Sequence, residues 1–234
     1  MAPAQERLTG TNVDVRIGLA YRAPDAAVRR LLPPGWEPNP ATGGATRGAN
    51  LNMNLLEQLT AQDGEGKPVA PLRGVVMTVP AKKTGSDTAG PMVFCGLFAA
   101  GAPGAYDVYL PAKVTVDRRS RTDPAGQTSV EESWDFRSDD GHALQVGLAY
   151  VRGAAARGRF EARVYSAARP DFFRIYRVES ASDVARSEAT GVDRVSRFAL
   201  KASGAKIAAL FDGSEQLVAI TSIPWYSRQV YVPA

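Results

Sequence analysis

The chain has 234 residues, 44% of them hydrophobic and 22% charged, which is the balance of an ordinary soluble globular protein with enough apolar material for a substantial core. Its formal net charge of +4 is spread widely, with no run of five or six basic residues interleaved with aromatics, so nucleic acid is not an expected partner. No segment reaches the roughly 18 apolar residues of a membrane span, and the start MAPAQERLTG lacks a charged and then apolar leader; no membrane partner and a cytoplasmic location are expected.

In chain order the first clear element is VDVRIGL, where Val13, Val15, Ile17 and Leu19 alternate with Asp14, Arg16 and Gly18, the period of a strand with one buried face. Pro24 and Asp25 then open a short helix that puts Ala27, Val28, Leu31 and Leu32 on one side before PPG ends it. GANLNMNLL sets Asn50, Asn52 and Asn54 against Leu51, Met53 and Leu55, so a strand here carries three amides on one face. Asparagine is depleted in strands. The three either line a polar cavity, where they could hold a carboxylate or carbonyl, or cover an exposed sheet face.

Further strand patterns follow at GVVMTVPA, MVFCGLFAA, DVYLPAKVTVD, SVEESWDFR, ALQVGLAYVRG, RFEARVYSA and LVAITSI, separated by Gly, Pro, Asp and Ser clusters. A second helix is expected from Pro170 through DFFRIYR and a third within SASDVARSEA. There is no internal repeat or long linker, so residues 1–234 read as one domain.

The search for chemical motifs is mainly negative. No GxGxxG, GxxxxGK[ST], CxxC or HExxH occurs, and one histidine cannot build a multi-histidine metal centre. No cofactor or metal is expected. His142, in the turn-like SDDGHA, reads as a solvated turn residue, and the single Cys95 among Met92, Val93, Phe94 and Leu97 as a small buried hydrophobe. Lys82 and Lys83 precede a TGSDTAG connection and read as an exposed pair.

The stretch YDVYLPAKVTVDRR places one lysine inside a strand pattern. A lysine is nucleophilic only as the neutral amine, which loss of hydration and a neighbouring cation both favour. As one regular strand, this stretch turns Val108, Leu110, Ala112, Val114 and Val116 one way and Tyr109, Pro111, Lys113 and Thr115 the other. That second face is a ligand-lined interior if the sheet closes on itself, and a wet surface if it does not.

AYRAPDAAVRRLLPPGWEP resembles the opening of the acetoacetate decarboxylase-like superfamily, with a strand ending in Tyr-Arg, a short helix and a Leu-Pro turn, and LFDGSEQLVAITSIPWYSRQVY is similar to its closing segment. The resemblance implies an α+β, mostly β fold, in which a cone-shaped β-barrel encloses a small-molecule cavity and a few short helices flank it. It also implies an enzyme whose lysine, in a Phe/Tyr-Pro-Lys-Lys sequence, forms a Schiff base with an oxo acid. Here the matching stretch is Leu110-Pro111-Ala112-Lys113, so Ala112 takes the place of the Schiff-base lysine and Lys113 that of its cationic neighbour. Adjacent strand residues face opposite ways, so Lys113 reaches the cavity only through a one-residue bulge.

Two functions are therefore in competition. In one, Lys113 forms an iminium with a small oxo acid, aided by Tyr109 and Glu65, while Arg22, Asn50, Asn52 and Asn54 hold the substrate. In the other, the cavity persists without the lysine chemistry and binds a ligand or acts on it by hydrogen bonding and proton transfer from Tyr109 or Glu65. Trp225, Tyr226, Arg228 and Tyr231 have the composition of interface hot spots. Members of the family tend to associate, so Trp225 or Tyr226 is expected in the core or in a homo-oligomer contact.

Overall fold

The structure, a computed structural model, describes residues 5–99 and 104–234. Met1 to Ala4, at the head of the opening segment, and Ala100, the last residue of the strand expected at MVFCGLFAA, lie outside the described residues. The chain is mostly β with few helices, as expected. Its first half holds β1 (Glu6–Arg22), α1 (Asp25–Arg29), β2 (Trp36–Pro38), β3 (Leu51–Asp63), β4 (Arg73–Lys83), β5 (Ala89–Phe98) and β6 (Tyr109–Pro111). The second holds β7 (Lys113–Thr122), β8 (Thr128–Arg137), β9 (Ala143–Val151), β10 (Ala156–Ser166), β11 (Phe173–Ser187), β12 (Val192–Asp193), β13 (Val195–Ser203), a 3-10 turn (Ala208–Leu210) and β14 (Gln216–Pro233).

The strands form two sheets. In the larger, the hydrogen-bonded order runs β2-β4-β3-β1-β14-β11-β10-β5-β6, and β4 also pairs with β5. The pairings β4-β3-β1-β14-β11-β10-β5 therefore return to β4. All of these pairs are antiparallel except β10 with β5, which run parallel for two residue pairs, Tyr165 with Met92 and Ser166 with Val93. Long strands with bulges make such a course possible, because a bulge bends the strand and increases its twist. On β1 the register against β14 shifts between Asp14 and Arg16, and that against β3 between Val13 and Asp14.

The smaller sheet, in the order β13-β9-β8-β7, packs on the outside of the β1, β3, β4 and β5 wall. Trp134, Phe136, Leu144, Val146 and Leu148 meet Ile17, Leu19, Leu51, Met53, Leu55, Val75 and Met77 there in one buried cluster. At roughly 1.5 to 3 kcal/mol per fully buried large apolar side chain, this layer is the main apolar contribution to the fold.

Three expectations are corrected. Phe173 to Ser187 form one strand, β11, and not two helices; it is hydrogen-bonded to β10 on one side and β14 on the other. Tyr106 to Asp117 do not form one strand, because β6 pairs with β5 in the larger sheet whereas β7 pairs with β8 in the smaller, and the chain changes sheet at Ala112. His142 is buried: its Nδ1 lies 2.9 Å from the Asp140 carboxylate and its Nε2 accepts the Lys206 amide. The helix at Asp25, the buried Cys95 and the exposed Lys82 and Lys83 are found as expected.

Candidate functional site

Every strand of the β4-β3-β1-β14-β11-β10-β5 circuit contributes side chains to a cavity of about 330 Å³, and β6 adds Tyr109. The volume is that of a small-ligand pocket. One end is apolar, with Val76, Val93, Ala162 and Val164; these also pack against Tyr106 and Val108. The polar part has two guanidinium groups, Arg16 and Arg228, with Asn52, Asn54, Thr78, Ser180 and Thr221.

Each guanidinium is held by one edge. Arg16 donates from Nε to Asp14 Oδ2 at 2.9 Å and from Nη2 to the same oxygen, while its plane lies 3.5 Å over the Tyr226 ring. Arg228 donates from Nε and Nη2 to Asn12 Oδ1 at 3.1 and 2.9 Å and stacks 4.4 Å over the Tyr176 ring. Asn12 in turn donates through Nδ2 to Asp14 Oδ1. The chain Arg228–Asn12–Asp14–Arg16 thus links two cations through one carboxylate, which is fully buried. A guanidinium has five N–H donors. Two of the five on each arginine are engaged in this way, and among the described residues the Nη1 atoms have no hydrogen-bond partner. No lysine, histidine, aspartate or glutamate lines the cavity among the described residues, so its surplus charge is positive.

Three tyrosines meet near the apolar end. The Tyr106 and Tyr176 hydroxyls are 2.6 Å apart, and the Tyr109 ring packs edge-on against that of Tyr106. Burial, and then the neighbouring Tyr176, push the Tyr106 and Tyr109 hydroxyls well above the ordinary tyrosine value, so both keep their protons at neutral pH. Room for Tyr109 comes from Gly96, where an added Cβ would lie 2.6 Å from the ring.

Of the residues expected at the site, the structure brings Tyr109, Asn52 and Asn54 together in the cavity and leaves the others outside it. Lys113 is exposed at the start of β7, opposite Arg137 in the smaller sheet. The reason is the change of sheet at Ala112: its amide is tied to the Phe98 carbonyl at 2.6 Å, and the next residue leaves the circuit. Glu65 is an exposed hairpin residue, paired with Lys67 at 2.7 Å. Arg22 is exposed beside Gly48, and its Nε lies 3.4 Å from that carbonyl. Asn50 is buried but occupied: its amide makes two 2.8 Å hydrogen bonds with the Ala23 backbone and one to Asp25, tying the end of β1 to the start of β3.

Arg16, Asp14 and Tyr176 were not among the expected site residues. Asp14 and Arg16 stand in the polar register of VDVRIGL, which reads from sequence as a wet face. Tyr226, expected in the core or in a homo-oligomer contact, is buried and lines the cavity with Arg228, whereas Trp225 is half-buried beneath Arg157.

No family model matches the sequence, and no curated protein sequence matches it either. Solved structures do match. The enduracididine biosynthesis enzyme MppR complexed with pyruvate superposes with a TM-score of 0.56 at 13% identity, over 97% of this chain and 89% of that one. An acetoacetate decarboxylase-like enzyme from Sphingomonas wittichii RW1 gives 0.56 at 11% identity, over 97% and 93%. A structure of acetoacetate decarboxylase gives 0.50 at 11% identity, over 99% and 90%. Near-complete coverage of both partners, together with the circuit of strands around a cavity, shows that this chain has the acetoacetate decarboxylase-like fold.

Proposed function

We propose that the circuit of strands works as a cone-shaped β-barrel whose cavity binds a small carboxylate-bearing carbonyl compound without a lysine Schiff base. The observation that carries this reading is the pair of arginines, each anchored by one edge in the wall of a cavity with positive surplus charge. A carboxylate is the anion whose planar shape matches the free donors of a guanidinium, and a buried cation with unused donors gains most from such a partner. Asn52 and Asn54, on β3 next to the β1 strand that carries Arg16, add donors and acceptors for the rest of the molecule.

An iminium at Lys113 would need that amine in the cavity and poorly hydrated; its exposure on the smaller sheet supports the non-covalent reading. Chemistry in this site would then rest on hydrogen-bond polarisation by the tyrosines, not on an electron sink made from an amine. MppR, whose fold is similar, has been seen with pyruvate, which makes small oxo acids the first ligands to try.

Calorimetric titration with pyruvate tests the proposal. Binding is expected in the wild type, a loss of about tenfold or more in Arg228→Met, and unchanged binding in Lys113→Ala. Borohydride treatment with pyruvate, followed by peptide mass spectrometry, should leave Lys113 unmodified. A stable adduct on Lys113, or binding indifferent to Arg228, would overturn the reading.

A further inference from the structure

The two hydroxyls at the apolar end leave one proton over. Tyr106 and Tyr176 share a single hydrogen bond, in which either oxygen can be the donor. Tyr106 is almost fully buried, and among the described residues its hydroxyl has no other partner. A buried hydroxyl with one neighbour is best satisfied by donating to it, since an unpaired buried O–H bears a desolvation penalty. Tyr106 therefore gives its proton to Tyr176, and the Tyr176 proton is free for the cavity that Tyr176 lines. Accepting a hydrogen bond strengthens the one that Tyr176 donates. Burial keeps Tyr106 protonated, so the direction of the relay does not reverse near neutral pH.

The second observation is where this donor sits. The Arg228 guanidinium stacks on the ring of the same Tyr176, so cation and hydroxyl are next to each other on one wall. A ligand whose carboxylate adjoins its oxo group matches that adjacency more closely than one whose oxo group is further along the chain.

Resting on the carboxylate reading above, we propose that Tyr176, backed by Tyr106, is the specificity-determining donor to the oxo oxygen of a 2-oxo acid, and that it favours forms with negative charge on that oxygen. The hydrogen bond to a charged acceptor is stronger than that to a neutral one. The cavity thus selects the 2-oxo acid over the plain carboxylic acid, and an oxalate-like dianion over both.

The experiment is a set of calorimetric titrations with propionate, pyruvate, levulinate and oxalate on the full chain. In the wild type, pyruvate should bind about tenfold more tightly than propionate, levulinate no more tightly than propionate, and oxalate most tightly. Tyr176→Phe, which keeps the ring under Arg228, should bring pyruvate and oxalate down to the affinity that the same variant has for propionate. Tyr106→Phe should reduce that advantage by about threefold and keep the order. Should a variant not fold, the wild type still decides: the carbonyl carbon of bound [2-13C]pyruvate should move downfield from its free position, as expected of a hydrogen-bonded carbonyl. Equal affinities for propionate and pyruvate, an unmoved carbonyl signal, or a pyruvate preference that survives Tyr176→Phe would overturn this inference alone. Failure of all four carboxylates to bind would overturn it together with the function proposed above.

Discussion

Two arginines in this molecule sit in nearly the same chemistry and come to opposite ends. Arg118, on β7, bridges the sheets: it meets Glu57 of β3 at 3.2 Å and Glu132 of β8 at 3.2 Å, and lies over the Trp134 ring. Glu132 also accepts the Trp134 indole N–H at 3.0 Å, and Tyr150 beside it donates to Ser222 of β14 at 2.8 Å. Arg16 likewise has a buried carboxylate and an aromatic face, but only one carboxylate and a void on its other side. The first arginine is balanced by two anions and acts as a cross-tie, although its buried Nε has no hydrogen-bond partner; the second shares one anion with Arg228, so that pair carries surplus positive charge. What sets the cavity pair apart from the cross-tie is the charge it leaves unbalanced, not its burial.

The contrast can be tested first where it should be greatest. Arg118→Met strands Glu132 without its counter-ion and should cost about 3 kcal/mol in denaturant unfolding. Arg228→Met strands no carboxylate and should cost about 1 kcal/mol; equal losses would erase the distinction between cross-tie and cavity pair. On the cavity side alone, Gly96→Val forces the Tyr109 ring away and presses on the Val75 carbonyl 2.9 Å from the new Cβ, for a loss of about 2 kcal/mol and weaker pyruvate binding.

The smallest effect is electrostatic and confined to acid. Burial would raise the Glu57 carboxyl, but hydrogen bonds and charge from Arg73 and Arg118 outweigh it and hold the group below its ordinary value. Its folded value being depressed, it adds stability above its unfolded value, and that stability disappears as pH falls through the folded one. Thermal unfolding of Glu57→Gln should therefore lose less between pH 5 and pH 3 than that of the wild type, with Arg228→Met keeping the wild-type slope over the same window.

Strand periodicity was readable where one face met the apolar layer between the sheets. β3, β4, β8 and β9 follow the pattern because Leu51, Met53, Val75, Met77, Trp134 and Val146 all point into that layer. It failed where a strand turns a polar face inward. β11 puts Tyr176, Ser180 and Ser182 against the cavity, so little apolar alternation remains and SASDVARSEA imitates a helix. The same inversion hid Asp14 and Arg16. The amides of Asn52 and Asn54 were legible as a polar face, since asparagine has little other reason to alternate in a strand. Their neighbour Asn50 has the same spacing but lies just before β3, and its amide serves the turn at Ala23. Nothing local in the sequence marks the change of sheet at Ala112, because it depends on which distant strands, β5 and β8, receive the two halves.

That handover also limits how the chamber can vary. The backbone anchor between Ala112 and Phe98 sets the point of departure, whatever side chain follows it. Substitution at position 113 redecorates the outside of the molecule, and an amine nucleophile could be installed only by changing a residue already committed to the lining, Tyr109 foremost. Ala112 and Lys113 are a single step apart along the chain, and backbone hydrogen bonding decides that this step leads out of the circuit and onto the smaller sheet.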